Sequence, residues 1–306
     1  MKKLSSLLYL VFFLVWGSAT AQVVGIQELA KYKSGDTLED KEGWVEVIKG
    51  DMPLVLSVPH GGTFKDERIP DRDCPEFGRV VKGIDRNTKE LAMAMQEHFY
   101  QKYKKRPYMV IANLSRFKVD QNREIQLATC NDALGIKAWN NYHDAVTAVI
   151  ADARQHGKIF FIDVHGHGHK VQRLELGYSL TAKQLAWAYN RKNTPKMPPT
   201  SSVANYLSAG GKRDFHDMLF GEYAFGTLLE KNGVRATPSM QDPHPQEGEA
   251  FFAGGHITRK FTAKDFPEVF GVQIEFHFRG IRDTDENRKK FAETFAKTYW
   301  EFIEHI

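Results

Sequence analysis

Ile159-Phe160-Phe161-Ile162-Asp163-Val164-His165-Gly166-His167-Gly168-His169 is an apolar run, rich in β-branched and aromatic residues, that stops in three glycine-spaced histidines. This pattern predicts a buried strand that delivers imidazoles to a site at its carboxyl end. Imidazole is the commonest protein metal ligand. The alternative is a solvated His-rich turn, a compositional signal only.

Upstream, Trp44 to Ile48 and Pro53 to Val58 read as strands, and the second ends in Pro59-His60-Gly61-Gly62. The unbroken Leu54-Val55-Leu56 suggests a strand covered on both faces. Charge, Pro and Gly mark Thr63 to Gly83 as a loop. Leu91, Met95 and Phe99 then give a helical period over Asp85 to Lys105, with Asp85 at its N-terminal edge. Tyr108 to Ala112 is a further strand, leading into a charged loop over Asn113 to Arg123, and Ala133 to His156 is a helix. Alternating strands and helices in this order predict an α/β fold of three layers, a mixed and mostly parallel sheet flanked by helices. Ligands of such sheets gather beyond the carboxyl ends of the strands, where His60 and His165 both fall.

Downstream, Leu176 to Arg191 and Asp214 to Asn232 carry helical spacing, and Lys192 to Thr200 is a loop with three prolines. Pro238 to Gly255 is a long Pro/Gly loop of the kind that carries function. Gly271 to Phe278 alternates as a strand, and Asp285 to Ile306 closes the chain as an amphipathic helix. No internal repeat is present.

The 306 residues, 42% apolar and 12% aromatic, suffice for a sizeable core and argue against disorder. Residues 1–21 differ in kind. Lys2 and Lys3 precede an apolar run from Leu7 to Trp16 and the small residues Ala19-Thr20-Ala21, the plan of a secretory signal peptide cleaved before Gln22. The run is too short for a stable membrane span. Residues 22–306 are then expected to form a single catalytic domain after a flexible start over Gln22 to Asp40. Loss of residues 1–21 takes Lys+Arg from 42 to 40 against 38 Asp+Glu, a net charge of +2 that gives no case for nucleic acid or an anionic membrane surface. Cys74 and Cys130 could form one disulfide in an exported protein, or stay two separate thiols.

A catalytic zinc site needs about three N or O ligands and one open position. His60 and His165 supply two, and a carboxylate is expected as the third. In this setting Pro59-His60-Gly61-Gly62, Asp85, Ser115-Arg116-(x)3-Asp120-(x)-Asn122-Arg123, Asp163-(x)-His165, Gly254-Gly255-His256-Ile257-Thr258 and Gln273-(x)-Glu275 together resemble the N-formylglutamate amidohydrolase family, which is similar in fold to the zinc carboxypeptidases. The matches run in the family's order from about residue 53 to residue 280.

The resemblance implies a zinc-carboxypeptidase-like fold, with His60, Asp85 and His165 as ligands of Zn2+, Glu275 as general base and Arg123 as a clamp for a substrate carboxylate or carbonyl. At Thr63 the chain departs from the carboxypeptidases, which have a glutamate ligand there. The third ligand is therefore Asp85 by preference, with Glu67 as the alternative.

The side chains suit these roles. Arginine binds carboxylates bidentately, and Arg116 is a second candidate for that task. Asn122 could donate to a developing oxyanion or simply form a turn. Glu275 in an apolar strand could instead pair with Arg279 or Arg282. Asp163 could orient an imidazole, and His167 and His169 could ligate, touch substrate or support a ligand. Gly255 and Thr258 are placed with the substrate, and His244 and His256 are weaker pocket residues. Arg173 and Glu175 could shape the pocket or form an internal ion pair.

Together these readings lead to an exported, periplasmic or secreted, zinc-dependent hydrolase that cleaves a linear amide in an N-acyl amino acid or small peptide-like substrate. N-formylglutamate itself fits poorly with export, because a histidine-catabolic role would be cytosolic. The competing readings are a dinuclear metallohydrolase using His165 and His167, and a non-catalytic binding protein that kept the fold.

Overall fold

The computed structural model describes residues 29–190 and 200–306, so the expected signal peptide and most of the 192–200 loop lie outside the described residues. One eight-stranded sheet forms the middle layer. Its strands are β1 (Thr37–Glu39), β2 (Val45–Ile48), β3 (Leu54–Val58), β4 (Tyr108–Ala112), β5 (Ile159–His167), β6 (Leu174–Gly177), β7 (Ala236–Thr237) and β8 (Val269–His277), in the order β1-β2-β4-β3-β5-β8-β6-β7. The central β4, β3, β5 and β8 are parallel, while β2 and β6 join this block antiparallel. The expected mixed α/β architecture is present, and β1 adds a strand where a flexible start was expected.

Alternation along the strands sends side chains into two cores. Leu54, Leu56, Phe160, Ile162, Val164, Val272 and Ile274 face one side, where they pack with helices α1 (Thr88–Tyr103), α7 (Phe225–Lys231) and α9 (Asp285–Glu304). Val55, Val110, Ile159, Phe161 and Val269 face the other, against α3 (Ala133–Ala153) and α8 (His256–Phe261). Asp132 caps α3 by accepting from the Gly135 amide at 2.7 Å, a bond worth about 1 kcal/mol.

The second face changes character along β5. Ile159 and Phe161 are core residues, and the next positions of the same parity are Asp163, His165 and His167. The strand thus carries the apolar floor of the sheet directly into the polar site.

Two stretches fold differently from their spacing. Leu176 lies in β6, with the helix α4 (Ala182–Tyr189) starting later. Gly177 permits close backbone approach, since a Cβ there would meet the Gly254 amide at 2.6 Å, and Ser179 has φ 60°. The expected helix over 214–232 is two helices, α6 (Phe215–Phe220) and α7, broken at Gly221, which is extended at φ −68° and ψ 173°. The remaining short helices are α2 (Ile125–Thr129) and α5 (Ala204–Ser208). Cys74 and Cys130 form a disulfide across 56 residues, joining the loop after β3 to the end of α2. No helix among the described residues is long and apolar enough to cross a membrane.

Candidate metal and hydrolytic site

His60 follows β3, Asp85 precedes α1 and His165 stands near the end of β5. Their ligand atoms all lie within 4.8 Å of one another. The Nδ1 atom of His60 is 3.5 Å, and that of His165 3.3 Å, from Asp85 Oδ2. The two rings meet edge to face with centroids 4.7 Å apart. Asp85 Oδ2 also accepts from the Gly166 amide at 3.0 Å, which ties the carboxylate to β5. Glu67, the alternative ligand, is exposed and outside this cluster.

The opposite edges of both imidazoles are held by buried carboxylates. His60 Nε2 donates to Asp120 Oδ1 at 2.7 Å, and His165 Nε2 lies 3.0 Å from Asp163 Oδ2. Nε2–H donation fixes a tautomer whose Nδ1 lone pair faces Asp85. His60 Nδ1 is buried and has no hydrogen-bond partner among the described residues. An orphaned lone pair, a second imidazole lone pair and a carboxylate oxygen converging on one point form a donor set that fits a divalent cation, with N and O ligands suited to zinc.

The electrostatics have the same sense. Burial by itself would depress His165, but Asp163, Asp85 and Glu275 outweigh it and raise its pKa well above the ordinary imidazole value. Burial would raise Asp120, yet His60 and Arg116 hold it well below the carboxylate range. The site therefore favours positive charge on its imidazole side and a permanent anion behind His60.

Each carboxylate has its own support. Asp163 accepts from Ser57 Oγ at 3.0 Å and from Thr258 Oγ1 at 3.2 Å. Thr258 is fully buried there, braces Asp163 and is not part of the cavity lining described below. Arg116 Nε donates to Asp120 Oδ2 at 2.8 Å, which makes it a partner of that acid before it is a substrate clamp.

Glu275 lies opposite His165 in the β5–β8 register and opposite Glu175 in the β8–β6 register. It is 5% exposed and accepts from Gln273 Nε2 at 3.0 Å. It pairs with neither expected arginine: Arg282 instead donates to the carbonyls of Phe276, His167 and Arg86. Burial, with repulsion from Asp85, Glu175 and Asp163 against the pull of His165, pushes Glu275 up to about 8.

His60, Asp85, His165, Gln273 and Glu275 line a cavity of about 380 Å³ together with Arg116, Asn122, Arg123, His167, His169, Phe252 and Gly255. That is the scale of a small-molecule site. Arg123 Nη1 donates to the Asn122 carbonyl at 2.9 Å, and no carboxylate among the described residues lies within 4 Å of its guanidinium. It is half-buried and borders a neighbouring cavity of about 290 Å³, which His256 also lines. Asn122 Oδ1 accepts from the Ile257 amide at 2.8 Å, while Nδ2 lies 3.1 Å from His165 Nε2. Gly255 is required by that packing, because a Cβ would come within 2.2 Å of the Asn122 amide. At Gly166 a Cβ would stand 2.4 Å from the Arg282 guanidinium, so a larger residue there would require that side chain to move.

Other candidates are placed elsewhere. His167 is occupied at both nitrogens: Nε2 donates to the Arg173 carbonyl at 2.8 Å, and Nδ1 accepts from the His169 amide at 3.1 Å. His244 Nδ1 contacts the Pro245 carbonyl, and the ring lies outside the cavity lining. Arg173 and Glu175 do not pair with each other. Arg173 pairs with Asp242 and Glu249, whereas Glu175 accepts from His169 Nδ1 at 2.8 Å. Asp120 and Gln273, for which the quoted motifs assigned no role, hydrogen-bond to His60 and Glu275 respectively.

No family model matches the chain, and no curated protein matches it in sequence. Among solved structures it is similar to an N-formylglutamate amidohydrolase from Ralstonia eutropha JMP134, at 14% identity over 84% of this chain and 96% of that one, with a TM-score of 0.49. A gene product of Agrobacterium tumefaciens is similar at 14% identity over 85% of this chain and 96% of that one, with a TM-score of 0.47. A carboxypeptidase A candidate from Shewanella denitrificans OS-217 is similar at 12% identity over 91% of this chain and 67% of that one, with a TM-score of 0.43. The first of these bears the name of the family that the ordered motifs of this chain resemble.

Proposed function

We propose that the chain is an exported, zinc-dependent amidohydrolase that cleaves a linear amide in an N-acyl amino acid or small peptide-like substrate, N-formyl compounds included. The observation that carries this reading is the convergence of His60 Nδ1 and His165 Nδ1 on Asp85 Oδ2, with Glu275 beside His165 on the next strand. Zinc, when bound by His60, Asp85 and His165, polarises a carbonyl and lowers the pKa of water toward ~7.

The chain's own residues supply the rest. Glu275 takes a proton from the attacking water, and its buried carboxylate, oriented by Gln273, is a stronger base than an exposed one. Arg123 presents to the cavity a guanidinium with no carboxylate partner among the described residues, suited to a substrate carboxylate. Asp120 and Asp163 keep the imidazoles in one tautomer and one orientation.

Export rests on the signal-peptide pattern of residues 1–21 and is supported by the Cys74–Cys130 disulfide, since such bonds persist in oxidising compartments. The dinuclear reading is disfavoured by His167, whose two ring nitrogens are already engaged. Glu275, set beside His165 on the next strand and lining the same cavity, favours the enzyme over a binding protein that kept the fold. Metal content measured together with hydrolysis of N-formyl, N-acetyl and dipeptide substrates tests the reading: about one metal per chain and chelator-sensitive amide cleavage are expected.

A further inference from the structure

Across β5, β8 and β6 the residues His165, Glu275 and Glu175 stand side by side in register. Only one carboxylate is needed to take a proton from water, so the second buried one calls for its own explanation. Glu175 is fully buried, and both its oxygens are used: Oε1 by His169 Nδ1 at 2.8 Å, and Oε2 by the Phe252 amide at 2.8 Å. The Phe252 ring in turn stacks on the His169 ring, with centroids 4.6 Å apart and planes 14° apart.

His169 is thereby fixed from two directions. Its Nδ1–H is committed to Glu175, and its Nε2 has no hydrogen-bond partner among the described residues. The ring lines the same cavity as Glu275 and His165, and its side chain is 22% exposed. A carboxylate-oriented imidazole with one free nitrogen at the edge of a hydrolytic cavity is the arrangement of a general acid–base group. His167, by contrast, spends both nitrogens on backbone groups and serves as scaffold for this turn.

We propose that His169, oriented by Glu175, donates the proton that the departing amine requires. The inference rests on the amidohydrolase reading above. In the step, water oxygen bonds to the acyl carbon and one water proton passes to Glu275. The carbon–nitrogen bond then breaks as the His169 imidazolium, whose Nδ1–H stays on Glu175, gives its Nε2 proton to the nitrogen, so that the amine leaves neutral and His169 is left as the neutral imidazole. The acid product retains the second water proton, and transfer from Glu275 to His169 through solvent resets both groups. Water and amide are consumed, acid and amine are formed, and no other reactant is needed. His169 is the residue that touches substrate, and Glu175 positions it.

Leaving-group dependence separates this role from a structural one. The metal-loaded chain is compared with His169→Asn and Glu175→Gln on two kinds of probe. N-formyl- and N-acetyl-L-glutamate release a strongly basic amine, whereas 4-carboxyphenyl formate and acetate release a phenolate that needs no proton. His169→Asn is expected to lower kcat on the amides at least ~100-fold, the lower scale for losing an acid–base group, and to change ester cleavage less than ~5-fold. Glu175→Gln keeps one acceptor oxygen and puts a donating NH2 in place of the other, so it can still accept from His169 Nδ1–H but no longer from the Phe252 amide as well, and is expected to show the same split more weakly. Retained esterase activity certifies a folded site. Equal losses on amides and esters, unchanged amide turnover, or loss of a bound metal equivalent in His169→Asn would overturn the proton-donor role alone. A metal-loaded wild-type chain that cleaves neither probe would overturn the amidohydrolase reading with it.

Discussion

His60 is held between two carboxylates, with Nε2 on Asp120 Oδ1 at 2.7 Å and Nδ1 3.5 Å from Asp85 Oδ2. The first contact fixes the tautomer, and the second lies where a cation is proposed. In the proposed metal site Asp120 is the outer partner of a ligand histidine, and outer partners typically contribute 10–100-fold to metal affinity. Asp120→Asn is expected to weaken zinc binding by about that factor while leaving the fold intact. Competition with a fluorescent zinc chelator measures it, and unchanged affinity would remove Asp120 from the metal site.

Glu275 is the group expected to carry proton abstraction. Glu275→Gln keeps the side chain's size and the contact with Gln273, so zinc content should stay at the wild-type level while kcat falls by at least ~100-fold. Near-normal turnover in a zinc-loaded variant would assign the base elsewhere.

The same residue makes stability depend on pH. Folding raises Glu275 from 4.5 to about 8, so the folded chain binds this proton more tightly than the unfolded one. Its contribution to stability is therefore complete below about pH 4.5 and is lost as pH rises to about 8. In chelator-treated protein, Glu275→Gln should gain on wild type across that window, by on the order of a few kcal/mol at its upper end. Denaturant midpoints at pH 5 and pH 8.5 check the sign, and an advantage confined to the acid side would contradict it.

The reach of sequence reading differed along the chain for physical reasons. His60 and His165 were legible because each ends an apolar run, and β3 and β5 pair in parallel so that both runs deliver their ends to one edge. Asp85 could be preferred but not separated from Glu67, since the separation depends on how the 63–83 loop closes. Pairings such as Asp120 with His60 and Glu175 with His169 depend on loop and strand placement with no local signature. Leu176, Leu180 and Leu185 imitate helical spacing, yet Gly177 and the left-handed Ser179 put the first of them in a strand. The single helix expected over 214–232 overlooked Gly221 as a break.

Arg123 lines the cavity with no ion-pair partner among the described residues, and Arg116 is already bound to Asp120. Arg123→Ala should therefore raise KM for substrates with a free carboxylate about tenfold or more, on the scale of one charged hydrogen bond, and leave amidated analogues little changed. Equal effects on both substrate classes would take the carboxylate away from Arg123.

The disulfide should matter for stability more than for chemistry, because Cys74 and Cys130 lie outside the cavity lining. Replacing both with serine frees a 56-residue loop, expected to cost about 2–4 kcal/mol. Calorimetry of the oxidised wild type against the variant measures the loss, and matching Tm values would show that the link adds nothing.

Metal dependence of amide cleavage is the most direct test of the His60–Asp85–His165 site. Elemental analysis of the purified chain should find about one zinc per molecule, chelation should abolish cleavage of N-formyl or N-acetyl amino acids, and added zinc should restore it. His165→Ala should bind no stoichiometric zinc. Undiminished amide cleavage after complete metal removal, or a full zinc equivalent retained by His165→Ala, would contradict the assignment.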